Sequence, residues 1–137
     1  MAYFDWNEKL STSIPVIDNQ HKELISFVNK LHEAMLMKKA KEVVGEILKG
    51  LKEYTKYHFS TEEKAFHKYG YSEMENHIKE HANLITEVEK LESDYLNGKI
   101  AISVNVFEFL TKWVTNHIMK EDMKYVSLLK DKIIEEV

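Results

Sequence analysis

Five histidines and two carboxylates fall at spacings that a single two-metal site inside a helical bundle can satisfy. They are His21, the pair His58 and Glu62, the pair His77 and His81, and His117 with Asp122. Residues four apart on an α-helix lie on one face, one turn apart, and can grip the same metal cluster. Two such pairs, with single ligands on two further helices, suit a dinuclear iron centre better than scattered surface histidines do. The chain has no cysteine, so disulfides and thiolate metal sites are excluded. Imidazole and carboxylate donors suit iron, zinc or manganese rather than copper(I) or an iron–sulfur cluster.

Positioning these side chains requires helices. Only one proline occurs, Pro15, and the apolar residues beyond it follow a helical period almost throughout. Residues 1–17 read as an irregular arm whose Trp6, Ile14, Val16 and Ile17 can pack on a bundle. Asp18 is the expected N-cap of a first helix running to about Lys38. A second helix is expected from Ala40 to Gly70, a C′ glycine. A third runs from about Ser72 to Asn97 and stops at Gly98 in the same way. A fourth starts near Ser103, and a short helical tail covers about Met123 to Glu136. Gly45 and Gly50, inside the second helix, each cost up to about 1 kcal/mol, either as tolerated glycines or as points of close helix approach.

The proposed ligands share the phase of the apolar seams. His21, Leu24, Val28, Leu31 and Met35 step by 3, 4, 3, 4, as bundle seams do. So do Val44, Leu48, Leu51, Thr55, His58 and Glu62 in the second helix, and His77, His81, Leu84, Val88, Leu91 and Tyr95 in the third. Val106, Leu110, Trp113 and His117 continue the rule in the fourth. All but Asp122 of the proposed ligands thus occupy core positions, where an unpartnered polar group is costly. Height agrees with phase. His21 lies about 18 residues before the first turn and His58 about 19 after it, while His81 lies about 17 before Gly98 and His117 about 19 after it. Antiparallel helices with short connections return all four to one layer, near the Gly70 turn. The fold expected is an all-α, up-down-up-down four-helix bundle with an N-terminal arm and a short C-terminal helical tail, forming a single domain over residues 1–137.

Three residues test that pattern. His32 sits beside the first seam but ~16 Å along the helix from His21, and His67 is out of phase with His58 and Glu62. Both are expected to be solvent-facing or locally bonded. Asp122 stands five residues after His117, about 140° round an ideal helix. Either the helix ends or bulges between them, or Asp122 is an ordinary acid beside Glu121. With Asp122 included, five imidazoles, two bridging carboxylates and one bridging oxygen leave a six-coordinate metal pair a single open position, on the metal with fewer histidines. Such a vacancy can take a small ligand such as O2.

Composition removes other function classes. The net charge is −4 and all 19 basic residues are lysine, so there is no basic footprint and no arginine to read phosphate or guanine. Nucleic-acid binding is not expected. No apolar run approaches the roughly 20 residues needed to span a membrane. The segment Met1 to Trp6 lacks a basic n-region and an apolar h-region. The chain reads as soluble and cytoplasmic.

The order His, His-x3-Glu, His-x3-His, His-x4-Asp resembles the hemerythrin family, especially its bacterial single-domain members. Ile17-Asp18-Asn19-Gln20-His21-Lys22-Glu23-Leu24 is similar to that family's first ligand motif, and Tyr57-His58-Phe59-Ser60-Thr61-Glu62-Glu63 to its second. The resemblance covers nearly the whole chain and matches every ligand position, Asp122 included. It implies a non-heme di-iron protein that binds O2 reversibly, a carrier rather than an enzyme. By the same resemblance His77, His81 and His117 hold one iron, His21 and His58 hold the other, and Glu62 and Asp122 bridge them together with an oxo or hydroxo group. O2 is then expected end-on at the two-histidine iron. Leu24, Phe59, Trp113, Val114 and Ile118 lie one helical step from ligands. They are core residues in any case, and the resemblance makes them a dry pocket that admits O2 and slows oxidation of the irons.

Two rival functions share the bundle. A ferritin-like di-iron oxidase uses Glu-x-x-His pairs and a carboxylate-rich shell. This chain contains no Glu-x-x-His, and its histidine-rich set leaves less negative charge to stabilise high-valent iron. A zinc hydrolase would need a His-Glu-x-x-His helix, which is also absent. A sensor of O2, redox state or iron needs an output module, for which 137 residues leave no room, so it would act through a partner or belong to a larger chain. Delivery of O2 to an oxygenase or another O2-using partner is a role that a carrier could serve.

Overall fold

A computed structural model describes residues 4–98, 102–132 and 134, the side chains at 102, 103, 118 and 119 excepted. It is an all-α, four-helix bundle with α1 at Pro15–Leu36, α2 at Ala40–Tyr69, α3 at Met74–Leu96 and α4 at Ile102–Asn116. A short α5, Val126–Leu129, comes after two tight turns at the end of α4. The heptad seams face inward as their phase requires. Leu24, Val28, Leu31, Leu48, Leu51, Val88, Val106 and Leu110 are buried in one apolar cluster that fills the bundle away from the polar layer. A second cluster, built on Ile17, Phe66, Tyr71, Tyr125 and Leu129, closes the other end.

Helix ends coincide with the glycines. Gly70 has φ +69° and its N–H bonds the Phe66 carbonyl, and Gly98 has φ +70°. Both sit in the left-handed region that costs glycine little. The start of α1 differs from expectation. Pro15 occupies the first turn, the N-cap position is Ile14, and Asp18 lies within the helix. A proline with its φ already helical and no N–H to satisfy opens the helix without a side-chain cap. The Asp18 carboxylate instead ties down the incoming arm, accepting bonds from Thr12 N (2.8 Å), Thr12 Oγ1 (2.7 Å) and Ser11 Oγ (2.7 Å). The arm itself contains a single 3-10 turn, Glu8–Leu10, with Leu10 and Ile14 buried; Met1 to Tyr3 lie outside the described residues.

The C-terminal tail also departs from a separate helix over Met123 to Glu136. The chain runs on from α4 through a π-helical stretch, His117–Glu121, and a 3-10 turn, Asp122–Tyr125, into α5. The last part of the expected tail, positions 133 and 135–137, lies outside the described residues. For the two α2 glycines close approach is the answer. A Cβ on Gly45 would stand 2.7 Å from Tyr95 Cε2, and one on Gly50 would stand 3.0 Å from Phe27 Cε1. No helix among the described residues is long and apolar enough to cross a membrane.

Candidate metal centre

Each of the four long helices delivers its expected side chains to one buried layer. His21 comes from α1, His58 and Glu62 from α2, and His77 and His81 from α3. His117 and Asp122 come from the turns that continue α4. All seven are at most 3% exposed. His117 and Asp122 reach the same layer because the chain between them is a π turn. The Asp122 N–H bonds the His117 carbonyl, five residues back. A five-residue turn returns residue i+5 over residue i, which an α-helix cannot do.

The donor atoms converge. His21 Nε2 lies 2.6 Å, His117 Nε2 2.8 Å and His58 Nε2 3.3 Å from Asp122 Oδ2, while His77 Nε2 lies 2.9 Å from Oδ1. Glu62 Oε1 is 3.1 Å from His81 Nε2 and 3.3 Å from His58 Nε2. It is 3.6 Å from both His77 and His117 Nε2. The donors fall into two overlapping sets whose members lie within 4.8 Å of one another. One is His21, His58, Glu62, His117 and Asp122, and the other is Glu62, His77, His81 and His117. Either set can hold a cation, and the two share Glu62 and His117. His32 and His67 take no part in either.

These contacts are not a self-satisfied hydrogen-bond network. Glu62 Oε1, His77 Nε2, His81 Nε2 and Asp122 Oδ1 are buried and have no hydrogen-bond partner. His77 Nε2 and Asp122 Oδ1 are close, yet misaligned for a bond with each other. His58 and His117 bring their Nε2 atoms to 3.4 Å, a hydrogen bond only when one of the two carries the proton. A buried polar atom left unpaired costs about 1–3 kcal/mol. Buried donor atoms that converge on shared points and lack partners of their own fit metal ions bound between them.

A second layer fixes the rings. Gln20 Oε1 lies 2.7 Å from His58 Nδ1, and Gln20 Nε2 donates to Thr61 Oγ1 at 3.1 Å. Glu63 Oε2 lies 2.8 Å from His81 Nδ1. Each acceptor holds the proton on Nδ1 and leaves Nε2 free as a donor to a metal. Phe59 stacks on His81 at 3.7 Å between ring centroids, and Trp113 stacks on His117 at 4.6 Å. Tyr125 donates its hydroxyl to Glu62 Oε2 at 2.5 Å. Sequence reasoning assigned no role to Gln20, Glu63, Thr61 or Tyr125. Only Gln20, beside His21, and Glu63, beside Glu62, carried a signal, through adjacency to ligands.

Electrostatics reflect seven ionisable groups buried together. Burial pushes the His58 imidazole down from its ordinary value. For His77 and His117 burial also lowers, but Asp122 and Glu62 outweigh it and raise them to about 9 and about 10. Burial would raise Asp122 and Glu62, yet the surrounding imidazoles hold both carboxyls well below their usual range. Tyr125, buried beside two carboxylates, is pushed well above its ordinary value and stays protonated.

Of the expected pocket residues, Leu24, Phe59 and Val114 are buried in one apolar cluster, and Trp113 packs on it half-buried. The Ile118 side chain lies outside the described residues. Trp113 and His117 also line a surface cleft of about 280 Å³ between α3 and α4.

The chain is similar to known proteins. The model of a family described as the hemerythrin HHE cation binding domain matches residues 12–129. A bacteriohemerythrin of Pseudomonas aeruginosa is 32% identical over 135 residues, covering 98% of this chain and 87% of that protein. A bacteriohemerythrin of Methylococcus capsulatus is 31% identical over 126 residues, covering 91% and 95%. The solved structure of wild-type hemerythrin is 29% identical and superposes with a TM-score of 0.83 over 94% of this chain and 99% of that one.

Proposed function

The chain belongs to the hemerythrin family, and from that premise we propose that it is a cytoplasmic, single-domain di-iron protein that binds O2 reversibly. Storage, delivery to an O2-using partner and scavenging are all served by that one property. In this reading His77, His81 and His117 hold one iron, and His21 and His58 hold the other. Glu62 and Asp122 bridge them. The single observation that carries it is the set of buried, unpartnered donor atoms in a cluster dominated by imidazole. An iron pair held there would supply the redox chemistry for reversible O2 binding.

The chain's own residues do the rest. Asp122 offers Oδ1 on the side of His77 and Oδ2 on the side of His21, His58 and His117, so its carboxylate reaches histidines of both groups. Gln20 and Glu63 keep His58 and His81 in the tautomer that donates from Nε2. Leu24, Phe59 and Val114 exclude water around the centre, with Trp113 packed half-buried against them. A dry lining opposes proton delivery and therefore irreversible oxidation. The predominance of histidine over carboxylate argues for binding of O2 over its activation.

Metal content tests the assignment. Purified protein should carry about two irons per chain. His58→Ala and His117→Ala should lose iron and melt at lower temperature, since metal held only by the folded state adds to its stability. His32→Ala and His67→Ala should keep the full complement. One zinc per chain with no iron uptake, or equal iron loss from His32→Ala, contradicts the reading.

A further inference from the structure

The two oxygens of Glu62 have different surroundings. Oε1 has no hydrogen-bond partner and faces the Nε2 atoms of His58, His77, His81 and His117. Oε2 points the other way and accepts the Tyr125 hydroxyl. A glutamate has three side-chain torsions, and α2 fixes only the first atom of that lever. Something beyond the helix must set which oxygen enters the centre.

We propose that Tyr125 is a positioning residue that orients the carboxylate of Glu62, holding Oε2 so that Oε1 is turned toward the imidazole donors of the centre. The proposal rests on the di-iron reading above. Tyr125 is itself immobile. Its ring is fully buried, with its centroid 5.3 Å from that of Phe66, 5.8 Å from His77 and 6.1 Å from Tyr71. It also lies on the 3-10 turn Asp122–Tyr125, in which side chains three apart eclipse. One turn therefore supplies one carboxylate and the hydroxyl that orients the other. A single hydrogen bond occupies one lone pair of Oε2 and leaves the second for a metal, so the contact steers Glu62 without removing it as a bridge.

Tyr71 provides the internal control. It belongs to the same aromatic cluster and is buried, but its hydroxyl has no partner. Tyr125→Phe and Tyr71→Phe each remove one buried oxygen and keep the ring. Both are loaded with Fe(II) without O2, and iron release to a ferrous chelator is monitored beside the parent, with a Mössbauer spectrum of each. Tyr125→Phe should release iron on the order of 10–100 times faster and show altered quadrupole splitting, as the loss of an outer-sphere partner does. Tyr71→Phe should match the parent in both. Parental release and spectrum in Tyr125→Phe overturn the proposal, and so does equal acceleration in both variants, which would mark a packing effect. A parent that takes up no iron defeats the di-iron reading instead, and is seen before any variant is made. Proton NMR of the metal-free parent should also show a slowly exchanging tyrosine hydroxyl that is lost in Glu62→Ala, which removes the acceptor; its absence from the parent also overturns the proposal.

Discussion

The amide of Asp122 bonds the carbonyl of His117 across five residues, and the same two residues meet again through their side chains, Asp122 Oδ2 to His117 Nε2 at 2.8 Å. One π turn thus sets a histidine and a carboxylate side by side at the end of α4. It also resets the helical phase of the chain beyond Asp122, so that Tyr125 and Leu129 turn into the core. Deleting the exposed Lys120 should convert the π turn to an α turn. Asp would then stand four residues from His117, still on its face, but Tyr125 and Leu129 would rotate by about 100°. The expected outcome is a folded bundle with reduced iron content and a lower melting temperature. Full iron content with unchanged melting would show that the π turn is dispensable.

Iron uptake should release protons. In the metal-free protein the His77 and His117 imidazoles are raised to about 9 and about 10, because Asp122 and Glu62 outweigh the opposing effect of burial. A raised histidine stabilises the fold fully below its unfolded value near 6.5, and this stabilisation is lost as pH rises through the folded value. Iron requires both imidazoles deprotonated. Adding Fe(II) to metal-free protein at pH 7 in weak buffer should therefore release about two protons per chain from these residues. The release should shrink above about pH 10, measured by pH-stat titration under anaerobic conditions. Uptake at pH 7 with no acidification contradicts the charge arrangement described.

Trp113 is half-buried, stacked on His117 and exposed along one edge to the cleft between α3 and α4. Trp113→Ala should leave iron content near two per chain, since no donor atom is lost. It should hasten irreversible oxidation, because water then reaches the centre through the widened cleft. Phe59→Ala is a poorer probe, since truncating a buried phenylalanine costs about 3–5 kcal/mol in folding alone. An oxidation rate in Trp113→Ala equal to that of the parent would remove Trp113 from the lining.

Much of this arrangement is legible in the residues because helical periodicity is a strong signal. The phase of His21, His58, Glu62, His77, His81 and His117 against the leucine and valine seams places them inward, and Gly70 and Gly98 mark helix ends through their positive φ. Asp122 shows where periodicity stops. An i+5 spacing is equally compatible with a bulge, a helix end or a surface acid, and only the backbone hydrogen bond to His117 decides among them. The start of α1 misleads because Asp18 is a good cap by type, while Pro15 opens the helix by fixed geometry and leaves Asp18 to bind the arm. Gln20 and Tyr125 are illegible for a different reason. Which glutamine or tyrosine meets a ligand depends on how two helices are rotated against each other, and single-helix spacing carries no record of that.

The optical spectrum of the iron-loaded, anaerobically reduced protein, recorded before and after O2, tests reversible O2 binding most directly. The reduced form should be nearly colourless, become strongly coloured through ligand-to-metal charge transfer on meeting O2, and return to colourless when O2 is withdrawn, over several cycles. Continuous consumption of O2 with accumulation of hydrogen peroxide or water, and no recovery of the reduced spectrum on deoxygenation, would make the protein an oxidase and contradict the account.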